Sequence, residues 1–265
     1  MGKFGITIIF GSGETSESGK AIHRHVFRQL GIKQKISVLE TPAGFQPNSF
    51  QVASGVANIF KTSLNEFVTE VNIIPARKKG IYESPDNPEI IRPLSTSTFI
   101  FLGPGSPTYT VKQMSGSLAF KVLMERWKFG ATLGLSSAAA LAMSAFTLPV
   151  YEIYKAGYDL TWGKGLDLFG SIGLRLAIVT HWNNNEGGKD LDTRFCFMGE
   201  KRFEKLRKLL PSDIGILGID EHTAIVFDFE KDEFYIDGVG SATFLRGGKT
   251  SVFKRKSKNS LKAFR

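Results

Sequence analysis

The sequence predicts an α/β sandwich: a mostly parallel central sheet covered by helices on both faces, with antiparallel strands added at one edge toward the C-terminus. Three observations predict it. Short apolar runs alternate with longer amphipathic stretches through most of the chain. After Ile214 the runs become short, closely spaced and separated by turns such as Glu230-Lys231-Asp232. The earlier runs end in small or turn-forming clusters, which is where a parallel sheet gathers its chemistry, beyond the carboxyl ends of its strands.

Taken in order, the apolar runs place strands at 4–10, 36–39, 67–74, 98–102, 131–135 and 175–180. Amphipathic stretches between them place helices near 17–30, 48–63, 108–128, 138–146 and 190–210. The first run is too short to cross a membrane and lacks the small-residue cleavage pattern of a secretion signal. It is expected as a buried strand, with no membrane partner. The late runs, 214–219, 223–229, 233–237 and 241–245, are expected as hairpin strands on the sheet edge. No internal repeat or linker interrupts this pattern, so residues 1–245 are expected to form one domain.

Composition narrows the functional classes. With 42% hydrophobic and 12% aromatic residues, the 265-residue chain can bury a core, which excludes global disorder. Its 22 phenylalanines against six tyrosines speak of packing rather than chemistry. Cys196 is the sole cysteine, which excludes an internal disulfide or a cysteine metal cluster and suits a reduced, cytoplasmic setting. The net charge of +9 is concentrated. Residues 246–265 carry eight Lys and Arg and no acid, leaving the body at +1. This basic C-terminal tail is expected to be a solvated, partly disordered end, and nucleic-acid contact is expected only through it.

Residues 133–144, Leu-Gly-Leu-Ser-Ser-Ala-Ala-Ala-Leu-Ala-Met-Ser, carry the strongest chemical signal. An apolar run stops at two serines, and a run of small residues then begins a helix. A nucleophile elbow needs this, because only small neighbours leave room for a sharp strand-to-helix turn with one strained side chain held outward. A small-residue helix packed closely on a sheet would share the pattern.

A serine nucleophile also needs a base and a group to orient that base. Of four histidines, His23 and His25 lie beside Arg24 and Arg28, where a solvated helix face is expected, and His222 lies in a late turn. His181 follows an apolar run directly and is the candidate base. Glu152, among the apolar residues 150–154, is the candidate orienting acid, with Asp159 second. The loop Gly103-Pro104-Gly105-Ser106-Pro107 follows a strand. The N–H groups of Gly105 and Ala138 are the candidate oxyanion hole. No zincin pair of histidines is present, and Asp190 with Asp192 lacks the rest of a calcium loop. The Gly11-Ser12-Gly13-Glu14 loop lacks the ending of a phosphate loop. No metal and no cofactor are therefore expected.

With these residues in order, the chain resembles the serine peptidase family of aspartyl dipeptidase (peptidase E) and cyanophycinase, within the class I glutamine amidotransferase-like superfamily. The likeness runs from Gly11 to about Leu245. It takes in Gly11-Ser12-Gly13-Glu14, the 103–107 loop, the elbow, His181-Trp182, the Arg194…Lys201-Arg202-Phe203…Leu206 segment and Gly218-Ile219-Asp220-Glu221-His222-Thr223-Ala224. The resemblance implies a flavodoxin-like three-layer sandwich and a serine hydrolase acting on a small peptide or amide through an acyl-enzyme.

The family elbow, roughly Gly-x-Ser-Ala-Gly-Ala-Ala-x-Met-Ser, puts the nucleophile at Ser137. Placing it on Ser136 would restore Gly134 two residues upstream but break the run that follows. Ala139 stands where the family has a glycine, which leaves a second reading open: a catalytically inactive ligand-binding or interaction protein. His181 takes the base role by the same matching, and Glu152 falls in the region of the orienting acid. Ser106, Asn183 and Arg194 are the candidate substrate-binding residues. The run Asn183-Asn184-Asn185 argues against an aspartyl-peptide substrate in particular. A homo-oligomer is compatible with the resemblance.

Overall fold

The computed structural model describes residues 3–255 and 257–265. Strands β1 (Thr7–Phe10), β2 (Gln34–Leu39), β3 (Val68–Ile74), β4 (Phe99–Leu102) and β5 (Thr132–Ser136) run parallel in the order β1-β5-β4-β2-β3. A small ribbon, β6 (Phe146–Thr147) with β7 (Gly163–Lys164), stands apart. Strands β8 (Leu176–Val179) and β9 (Gly215–Ile219) pair parallel to each other. The chain then adds β10 (Thr223–Asp228), β11 (Glu233–Gly238), β12 (Ser241–Arg246), β13 (Lys249–Lys254) and β14 (Lys258–Ser260). The central sheet has eight strands, because β10, β11 and β14 continue it antiparallel beyond β1. Large, mostly parallel and flanked by helices, it has the form of a flavodoxin-like sandwich.

The helices are α1 (Glu17–Leu30), α2 (Ser49–Thr62), α3 (Pro88–Ile91), α4 (Pro107–Met114), α5 (Leu118–Lys128), α6 (Ala138–Ala142), α7 (Val150–Tyr154), α8 (Arg194–Phe197) and α9 (Gly199–Leu209). The expected single helix at 108–128 is two. Gly116 at φ 69° ends the first, and Ser117 starts the second by accepting a hydrogen bond from the Phe120 N–H. The expected helix at 190–210 is regular only as α9. Before it, Phe195, Cys196 and Phe197 take φ of 57°, 56° and 67°, a left-handed turn of three bulky residues.

Side-chain alternation divides the core. On β4, Phe99 and Phe101 face α1 and α2, joining Ile22, Phe27 and Phe60, whereas Ile100 and Leu102 join Leu123, Trp127 and Met143 on the other face. The run at 175–180 was expected in this sheet; it lies instead in a second one, ordered β13-β12-β9-β8. Ile178 and Leu217 of that sheet enter the shared core, while Ala177, Val179 and Ile216 pack with Phe203 and Leu206 of α9. Of the late strands, β10 and β11 extend the edge of the central sheet as expected, whereas β9 and β12 lie in the second sheet.

The described residues of the 246–265 segment do not form a loose end: β13 pairs with β12, β14 pairs with β11, and Leu261 and Phe264 are buried. Several of their charges meet acids, including Arg265 with Asp232 at 3.2 Å and Lys258 with Glu233 at 3.5 Å. His23 is not on a solvated face but fully buried, with ring centroids 4.9 Å from Phe10 and 5.0 Å from Phe60. Burial pushes its imidazole down to about 3.

Candidate functional site

The carboxyl ends of β1, β4, β5, β8 and β9 converge, and the expected chemistry-bearing residues follow from them. Ser137 is the residue after β5 and precedes α6, with φ 49° and ψ −117°. A positive φ on a non-glycine residue is strained, by roughly 1–3 kcal/mol, and such strain persists only where surrounding structure holds it. The holding structure is the buried run 138–143, whose alanines at 138, 139, 140 and 142 let α6 begin against the sheet. The Ala139 methyl group packs in the shared core, and the turn forms around it.

Ser137 Oγ lies 3.0 Å from His181 Nε2. Ser136 points elsewhere: fully buried, it donates to Glu14 Oε2 at 2.7 Å. That separates the two adjacent serines. His181, next after Thr180 at the end of β8, has φ 51° and donates its backbone N–H to the Gly11 carbonyl at 3.1 Å. This bond ties the end of the second sheet to the end of β1. Gly11 is required for the approach, since a Cβ there would sit 2.1 Å from the Asp220 carbonyl oxygen.

The acid on the imidazole is Glu221, not Glu152. His181 Nδ1 lies 2.8 Å from Glu221 Oε1, which also accepts from Asn184 Nδ2 at 2.9 Å. The hydrogen bond from His181 holds the Glu221 carboxyl below its usual range; burial opposes that shift and Asn184 reinforces it. Because the carboxylate can only accept, the imidazole proton belongs on Nδ1, leaving Nε2 free to accept from the Ser137 hydroxyl.

Glu152 is turned to the other side of α7, where its Oε1 accepts from Thr108 Oγ1 at 2.5 Å. It shares a separate groove with Asp159, so neither carboxylate serves the histidine. The signal for Glu221 was present in the segment 218–224. There Glu221 precedes His222 on the turn between β9 and β10 and reaches the imidazole.

The remaining candidates divide. Gly105, at φ 152°, lines the cleft at Ser137, and a Cβ on it would fall 1.9 Å from the Pro42 carbonyl oxygen. Among the described residues, neither the Gly105 N–H nor the Ala138 N–H donates to a protein backbone carbonyl. Ser106 caps α4 instead of facing the cleft, accepting from the Tyr109 N–H at 3.2 Å. Asn183 accepts from the Glu221 N–H at 2.8 Å, so it fixes the loop that carries the acid. Arg194 is bound to Asp192 and Glu200, at 2.9 and 2.8 Å, and does not line the cleft. The cleft beside Ser137 holds about 270 Å³. Cys196 forms part of its wall, but burial pushes that thiol up to about 12, which keeps it protonated and unreactive.

No known protein family description and no curated protein matches the chain. Solved structures do. The crystal structure of a peptidase from an acI-B1 Actinobacterium superposes with a TM-score of 0.75 at 19% identity, covering 97% of each chain. A candidate Peptidase E protein from Listeria monocytogenes EGD-e superposes with a TM-score of 0.53 at 17% identity, over 96% of this chain and 100% of that one. The chain therefore has a peptidase-E-like fold. At this level of identity the likeness is one of architecture.

Among the described residues no helix is long and apolar enough to cross a membrane.

Proposed function

We propose that the protein is a serine hydrolase that cleaves a small peptide or amide through an acyl-enzyme, with Ser137, His181 and Glu221 as its triad. The observation that carries the reading is the continuous path from Ser137 Oγ to His181 Nε2 at 3.0 Å and from His181 Nδ1 to Glu221 at 2.8 Å. It starts from a serine in an elbow conformation.

In this reading Ser137 Oγ attacks the substrate carbonyl while His181 Nε2 takes its proton. The Glu221 carboxylate steadies the imidazolium that forms. The N–H groups of Gly105 and Ala138 receive the developing oxyanion, the kind of stabilisation that contributes roughly 100- to 1,000-fold per donor. His181 then delivers the proton to the leaving amine. Water, activated by the same imidazole, releases the acid from Ser137. The peptidase neighbours support the general class.

The test is a fluorophosphonate label mapped by mass spectrometry, together with the Ser137→Ala protein. The label is expected on Ser137 and not on Ser136, and Ser137→Ala is expected to lose both labelling and amidase turnover. Full turnover by Ser137→Ala removes the reading.

A further inference from the structure

We infer that the cleft selects substrates whose acyl-side residue is apolar or aromatic and discriminates against acidic ones. The inference rests on the serine-hydrolase reading and concerns what its cleft accepts. The wall next to Ser137 is built from Leu141, Val150, Tyr154 and Phe197. Leu141 lies one helical turn beyond Ser137, and its backbone N–H donates to the Ser137 carbonyl. Val150 and Tyr154 are four residues apart on α7, so they share a face. The Phe197 ring lies 5.7 Å from the His181 ring and 5.4 Å from Tyr154, which closes the wall around the imidazole.

Charge on the cleft is solvated. Lys155 and Glu186 are exposed where they line it, and the lysine ammonium rests 4.9 Å over the Tyr154 ring. Exposed charges are screened and hydrated, and they discriminate weakly. Arg194, the residue positioned by sequence to receive a carboxylate, is occupied by two acids outside the cleft. An acidic side chain entering this wall would lose its water without gaining a desolvated cation in return. An apolar one would cover the half-buried Tyr154 and Phe197 rings at no such cost. The volume of about 270 Å³ suits one side chain and the scissile group, not a long polymer segment.

The experiment measures protection of Ser137 from a fluorophosphonate by aminoalkyl boronic acids that differ only in side chain: phenylalanine-, leucine-, aspartate- and lysine-type. The boron forms a reversible adduct with the serine hydroxyl, so no natural substrate is needed. The phenylalanine- and leucine-type compounds are expected to protect at concentrations at least about tenfold lower than the aspartate-type. Tyr154→Ala should weaken protection by the phenylalanine-type compound about tenfold, and Tyr154→Phe should restore it. Equal or better protection by the aspartate-type compound overturns the inference while leaving the hydrolase reading intact. If no fluorophosphonate reaches Ser137 in the wild-type protein, the hydrolase reading fails and this one falls with it.

Discussion

Glu221 holds its charge because two side chains, His181 and Asn184, converge on one of its oxygens, while Asn183 fixes its backbone. Replacing the carboxylate by an amide allows the wrong imidazole tautomer, the change that costs about 10,000-fold in serine proteases. On the proposed reading, Glu221→Gln is therefore expected to lower kcat by roughly 1,000- to 10,000-fold, and Glu152→Gln by less than about tenfold. Steady-state rates on one amide substrate, measured for both variants, check this. His23 makes a second prediction at the same scale. Its folded-state value near 3 lies below the ordinary 6.5, so as pH falls through that interval the unfolded chain gains a proton that the folded one refuses. Stability is lost across that window and unaffected by His23 above it. Between neutral pH and about pH 5 the wild type should lose roughly 2 kcal/mol more than His23→Leu. Urea midpoints at the two pH values decide the matter, and equal losses would refute it.

At the scale of elements, the strands were more legible than their partners. A four-residue apolar run such as 99–102 shows its own conformation, because both faces are buried and only a strand of that length fits between turns. It does not show which sheet it joins, and the run at 175–180 was misplaced for that reason. The tail illustrates the same limit. Read residue by residue, 246–265 is basic and polar, yet three positions, Phe253, Leu261 and Phe264, suffice to dock it. Phe264 packs its ring 4.7 Å from Phe234, 4.9 Å from Phe244 and 5.6 Å from Phe227, joining both sheets. Phe264→Ala is expected to cost about 3–5 kcal/mol, read from chemical denaturation. A loss below about 1 kcal/mol would mean that the segment is only loosely attached.

For the whole molecule, Ser137 and His181 could be found from sequence because each follows a strand, and strand ends gather at one edge. The acid lies in the segment 218–224 that the sequence marks, but which of its residues meets the imidazole depends on the close approach of residues 11, 181 and 220–221 in space. Ser137 follows a strand of the central sheet and His181 a strand of the smaller one, while Glu221 lies on the turn from β9 of the smaller sheet to β10 of the central one. Each sheet is internally hydrogen-bonded, but across the seam Ser137 and His181 rely on a few bonds, Gly11 with His181, Ala145 with Leu176 and Ser144 with Ile178, and on side-chain packing. A sub-global opening that parts the seam by an ångström or two would separate Ser137 from His181 while both ladders survive. On the proposed reading, warming or mild denaturant therefore silences turnover before it melts the protein, and cooling rearms it.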